Sequence, residues 1–141
     1  MHFTELQFAR LDDIYRRQFP DQVAAYVRDQ YADCLVRSAR AGFAVAQIPD
    51  DVLRRLVRVG LHRAQGHGLT WQSTLNSFVT LMFIVAPNFD EHPKVASALA
   101  ADGRPPNFRM LELPPLIEPI DWQQAAAAYD PHAWLGSELW S

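Results

Sequence analysis

The 141-residue chain has one cysteine, one lysine and six glycines. A lone thiol, Cys34, closes no disulfide within the chain and builds no cysteine-based zinc site. The glycines make no phosphate-cradling Gly-rich loop, and neither a Gly-x-Ser-x-Gly elbow nor a His-Glu-x-x-His pair occurs. The apolar run 75–86 is too short to cross a bilayer. Met1-His2-Phe3-Thr4-Glu5 lacks a basic segment followed by an apolar one, so the expectation is a cytoplasmic protein.

Strong charge of either sign is also missing. The net charge is −3 with 21% charged residues, which gives no broad attraction to nucleic acid or anionic membrane. The distribution is uneven. Residues 1–65 carry ten arginines against eight acids, and residues 66–141 three basic groups against eight acids. The acidic half fits a basic partner or simply a solvated surface. Arginine outnumbers lysine twelve to one. Guanidinium groups suit bidentate and stacked contacts, although GC-rich codon usage produces the same bias.

What is present is a hydrophobic content of 49%, enough for one real core and hence one domain. The signals are helical. Thr4 and Gln7 form a capping box, and Phe3 can staple onto Phe8. Phe19-Pro20-Asp21 breaks that helix, and a second is expected to run to about Ala41, with Gly42 as its stop. An apolar, extended link over 43–48 leads to Pro49-Asp50-Asp51, which starts a third helix. It buries Val52, Leu53, Leu56, Val57 and Leu61 and turns Arg54, Arg55, Arg58 and Arg63 outward. Thr70 is the expected cap of a fourth helix, with Gln72, Asn76 and Thr80 as its polar stripe and 81–85 enclosed. Pro87 stops it, and Asp90 is placed to cap a fifth helix through about Ala101.

Arg104-Pro105-Pro106 and Leu113-Pro114-Pro115-Leu116-Ile117-Glu118-Pro119 predict an extended, polyproline-like arm. Asp121 and Gln124 then cap a short Ala-rich helix, and Asp130-Pro131 begins a last turn carrying Trp134. The predicted fold is mainly α: a single-domain bundle of five or six helices, with residues 1–103 as the helical core. Residues 104–141 form a Pro-rich arm with short C-terminal helices packed on that core.

Few residues suggest chemistry. His62, His67 and His92 flank the central helix with Asp90 and Glu91 nearby, but their spacing is not that of a metal site. Cys34 has no neighbour in sequence that would depress its pKa. The pairs Asp50-Asp51 and Asp90-Glu91 stand at expected helix starts, where negative charge is favourable. A helix-turn-helix outline over 53–86 lacks any lysine or arginine in its second helix, against a DNA-reading role. No cofactor is expected. Trp122 and Trp134 are expected to fold back half-buried, and Trp140 to stay exposed or partner-bound.

One resemblance emerges from Leu61-His62-Arg63-Ala64-Gln65-Gly66, Gly68-Leu69-Thr70, Phe78-Val79-Thr80-Leu81-Met82-Phe83 and Asn88-Phe89-Asp90-Glu91-His92-Pro93, followed by a Pro-rich segment and a late Trp. The pattern resembles small helical proteins encoded beside bacterial type VI secretion spike and effector genes. The resemblance implies a non-catalytic accessory protein, an immunity protein or loading chaperone, whose partner is an effector toxin or spike protein. Expected partner contacts are Trp134, Leu139, Trp140, Asp90 and Glu91, with a homodimer left open. The competing expectation is a small DNA-binding regulator or enzyme with a site near His67, Asp90 and His92.

Overall fold

A computed structural model describes residues 5–38 and 41–134, the side chains of 5–17 excepted. The capping residues Thr4 and Phe3 lie outside it. Among the described residues there are six α-helices and one two-stranded sheet: α1 (Glu5–Gln30), β1 (Leu35–Arg37), β2 (Gly42–Ala44), α2 (Asp50–Gly66), α3 (Gln72–Ile84), α4 (Pro93–Leu99), α5 (Pro106–Leu116) and α6 (Pro119–Ala127). Short 3-10 turns at Val45–Gln47, Phe89–Glu91 and Pro131–Trp134 link them. The predicted mainly helical fold is therefore what the chain adopts.

The first two expected helices are one. Pro20 sits inside α1 and removes one backbone donor. Val23 and Val27, one helical turn apart, are fully buried beyond it, and that packing carries the helix through. The helix then stops at Gln30, well short of Ala41. Cys34 and Leu35, read as helical, lead into an antiparallel hairpin in which Val36 faces Phe43. The hairpin turn closes through Ser38 N–H donating to Ala41 O at 2.7 Å.

α2 is the central element and packs on both α1 and α3. Its close approach to α3 depends on Gly60, where a Cβ would meet Val79 Cγ2 at 3.0 Å and Met82 Sδ at 3.1 Å. The turn into α3 uses Gly68 at φ +86°, with Pro106 directly behind it. Phe78 of α3 and Phe89, both fully buried, pack in a tilted pair with ring centroids 4.8 Å apart.

α3 is not capped by Thr70. Its N-cap is Trp71, which makes no side-chain cap bond. Asn107 of α5 does the work from outside: its Oδ1 accepts from Thr70 N–H (3.1 Å), Trp71 N–H (3.2 Å) and the Thr74 hydroxyl (2.7 Å). Its Nδ2 donates to Thr70 Oγ1 at 2.9 Å. Thr80, expected on a polar stripe, is buried, whereas Ile84, expected to be enclosed, is exposed.

The extended C-terminal arm is not what forms; its prolines fall at helix ends. Pro106 and Pro119 occupy first turns of α5 and α6, where a missing N–H costs nothing. Pro114 and Pro115 fall in the last turn of α5, just before the chain turns extended at Ile117. α6 is opened by Glu118, not Asp121: the Asp121 carboxylate accepts from Glu118 N–H at 3.2 Å. The 3-10 turn Pro131–Trp134 closes the described chain against α2.

Candidate functional site

Two features carry chemistry. The first is a buried ion cluster at the C-terminal end of α2. Arg63 and His67 stand one helical turn apart and reach the same carboxylate, Asp90, in the turn Phe89–Glu91. Arg63 Nε donates to both Asp90 oxygens (2.9 and 2.8 Å) and Nη2 donates to Oδ1 (2.7 Å). His67 Nε2 lies 2.7 Å from Oδ2. The Asp90 side chain is only 5% exposed, against 27% for Arg63. Burial alone would raise the Asp90 carboxyl. The hydrogen bonds from His67 and Arg63, reinforced by their charges, outweigh it and hold the carboxyl below its ordinary value. Burial likewise opposes the Arg63 charge, and the bond and charge of Asp90 more than restore it. Glu91 stands at the rim, 3.4 Å from Arg63 Nη2.

Asp90 is therefore not the cap of the following helix. That role falls to His92, whose Nδ1 accepts from Lys94 N–H at 3.3 Å. The other ring nitrogen of His92 faces Gln124 Oε1 at 3.0 Å, on α6. Of the trio His67, Asp90 and His92, only the first two meet. An Asp–His pair is the orienting half of a general-base device. Here, however, the imidazole lies against Phe78 and Asp90 is shared with Arg63, the arrangement of a clamp between α2 and the 89–91 turn. Among the described residues no three His, Cys, Asp or Glu side chains converge as a metal site would require. His62 is exposed, in a separate cleft of about 730 Å³ whose lining mixes Arg58 and Gln72 with apolar residues such as Phe19 and Leu75.

The second feature is an apolar cleft of about 480 Å³ between the hairpin, the start of α2 and the last 3-10 turn. Val36 and Phe43, a cross-strand pair, form one wall, and Ile48 and Pro49 lie at its base. Val52 and Leu56, one turn apart on α2, and Trp134 complete it. Arg37 and His132 stand at its edge. Phe43 is 50% exposed and lines this cleft.

Two polar clips hold these walls. Arg28 of α1 donates to Val45 O (3.2 Å), Ala46 O (3.3 Å) and Ile48 O (2.6 Å), fixing the 3-10 turn beneath the cleft, and pairs with Asp50 at 3.0 Å. Tyr129 Oη accepts from Arg37 N–H (3.0 Å) and from Trp134 Nε1–H (2.8 Å), tying β1 to the C-terminal turn. The Arg37 guanidinium lies over the Tyr129 ring, 5.4 Å from its centre.

The expected partner contacts divide accordingly. Trp134 is 2% exposed and packs tilted against Phe83, ring centroids 4.7 Å apart, so its indole is a core element and the inner wall of the cleft, not a surface anchor. Asp90 is likewise inside, and only Glu91 reaches solvent. Leu139 and Trp140 lie outside the described residues. The cleft itself was missed in the sequence, because its walls depend on a hairpin that helical spacing concealed. The alternation Val36–Arg37 and Phe43–Ala44 around a short turn ending in Gly42 was the available signal.

No protein-family model, curated protein or solved structure matches the chain significantly.

Proposed function

We propose that the protein is a non-catalytic binding protein that receives an apolar segment of a protein partner in the cleft between the hairpin, α2 and Trp134. The observation that carries this reading is the half-exposed Phe43, which with its cross-strand neighbour Val36 forms one wall of a cavity lined also by Ile48, Val52, Leu56 and Trp134. Its exposed half amounts to roughly 100 Å², and covering it contributes about 2.5 kcal/mol. That is the size of an interface hot spot. The tight sharing of Asp90 between Arg63 and His67 supports a structural role for that ion cluster. The resemblance noted above suggests the partner: a type VI secretion effector or spike component, with this chain acting as immunity protein or loading adaptor.

The test is capture by the tagged full chain in extracts of its native host, with wild-type and Phe43→Asp baits of equal thermal stability. The reading expects a stoichiometric protein, encoded beside this chain, held by the wild type and reduced at least about 30-fold on Phe43→Asp. Equal capture by both baits, or none by either, overturns it.

A further inference from the structure

We infer that the partner segment received in the cleft is an extended strand that adds to the open edge of β2. The inference rests on the binding role proposed above and names the partner's conformation. Two bonds at the ends of the hairpin fix its ladder: Ser38 N–H donates to Ala41 O at 2.7 Å, and Val45 N–H to Cys34 O at 2.9 Å. Bonded pairs alternate in an antiparallel ladder, so Val36–Phe43 is a bonded pair, and Leu35–Ala44 and Arg37–Gly42 are not. These last residues turn their backbone groups away from the hairpin. On the β1 side that edge is occupied, because Arg37 N–H donates to Tyr129 Oη at 3.0 Å. On the β2 side Gly42 N–H, Gly42 C=O and Ala44 N–H have no partner among the described residues. The Ala44 carbonyl opens the 3-10 turn Val45–Gln47. β2 carries none of the usual guards of a bare edge: it reads Gly-Phe-Ala, without lysine, proline or any charge.

The bare edge and the cleft meet at Phe43, and together they say which occupant fits. Phe43 turns its backbone groups to β1 and its side chain to the cleft, half exposed. A strand beside β2 sets one side chain next to Phe43 on that face, with the second residue on either side of it facing the same way. Such a segment completes Gly42 and Ala44 and covers Phe43 at once. A helix keeps its N–H and C=O groups for itself and leaves those of Gly42 and Ala44 unpaired. The β2 strand of a second copy brings only its own Phe43 to this face and leaves Val52, Leu56 and Trp134 of the cleft uncovered. The occupant is therefore a partner segment with apolar residues at every second position.

The probe is a phage-displayed library of random peptides of about twelve residues, selected on the full chain and counter-selected on Phe43→Asp. Retained peptides should carry apolar residues at i, i+2 and i+4. The consensus peptide is then synthesised and titrated by calorimetry. Ala44→Pro is the sharpest variant: Ala44 already has φ −64°, so proline fits the backbone and deletes only the free N–H. It should bind the peptide at least about 10-fold more weakly with an unchanged thermal midpoint, whereas Ala44→Val, which keeps the N–H, should stay within about 3-fold. N-methylation of the peptide tests the same bonds on the wild-type chain. Methylating one set of alternate residues should cost at least about 10-fold in affinity, and the other set less than about 3-fold. Equal effects at both sets, or undiminished binding by Ala44→Pro, overturn the inference. Apolar residues at i, i+3, i+4 and i+7 overturn it too, by placing a helix in the cleft and leaving the binding role intact. A free wild-type chain of twice 16.0 kDa that Ala44→Pro returns to 16.0 kDa assigns the edge to a second copy and overturns it as well. No peptide retained over the Phe43→Asp control overturns the cleft reading itself, and this inference with it.

Discussion

Replacing Asp90 with alanine tests the ion cluster as a structural clamp. The change removes the acceptor of three Arg63 bonds and of the His67 contact. Breaking a buried pair from one side costs about 3–5 kcal/mol, because the remaining charge is left without its partner. Arg63 is 27% exposed and can take up water, which places Asp90→Ala near the lower end, about 3 kcal/mol. Arg63→Ala should cost at least as much, since Asp90 is 5% exposed and would keep only His67. The double variant should cost far less than the two added, with a coupling of about 2 kcal/mol or more. Urea unfolding reads this directly: with a slope near 2 kcal/mol per molar, Asp90→Ala shifts the midpoint by about 1.5 M. The effect should also depend on pH. The Asp90 carboxyl is held low in the folded protein, so its contribution is complete above the unfolded value of about 3.9 and is lost as pH falls through the folded value below that. The gap between wild type and Asp90→Ala should therefore narrow only in acid. A shift below about 0.5 M at pH 7, or an additive cycle, would refute the clamp. Loss of partner binding in a fully stable His67→Gln would also count against it, by giving His67 a functional role.

Two further substitutions probe what holds the rest in place. Asn107→Ala leaves Thr70 and Trp71 N–H and the Thr74 hydroxyl without their shared acceptor; it should cost about 2 kcal/mol and speed amide exchange at the start of α3. Trp134→Ala should lower stability by about 3–5 kcal/mol in urea unfolding, as deletion of a packed core side chain does, because the indole fills the space between Phe83 and the cleft.

The helical frame was legible where pattern and punctuation agree. Pro49-Asp50-Asp51 does open α2, and Leu53, Leu56 and Val57 face the core as their spacing requires. Proline departs from its local rule in both directions. Pro20 does not break α1, because Val23 and Val27 supply packing that no local rule weighs. The C-terminal prolines locally favour an extended arm, because their distribution between helix first turns and a last turn appears only once the helices are placed. The side-chain sites depend on pairings distant in sequence. Asp90, beside Pro93, carries every local mark of a cap; what decides otherwise is the arrival of Arg63 and His67 from α2. Asn107 capping α3 from α5 is the same kind of long-range event. The outward apolar residues of α5 were hidden because exposure is not a property of the local sequence.

The claim that the cleft is the binding face is tested most directly by hydrogen–deuterium exchange of the full chain, free and mixed with the protein that it captures. The account predicts slowed exchange confined to Leu35–Arg37, Gly42–Ala44, the first turn of α2 and the turn Pro131–Trp134. Protection centred instead on α5 or around His67 and Asp90, with the hairpin unchanged, would contradict it.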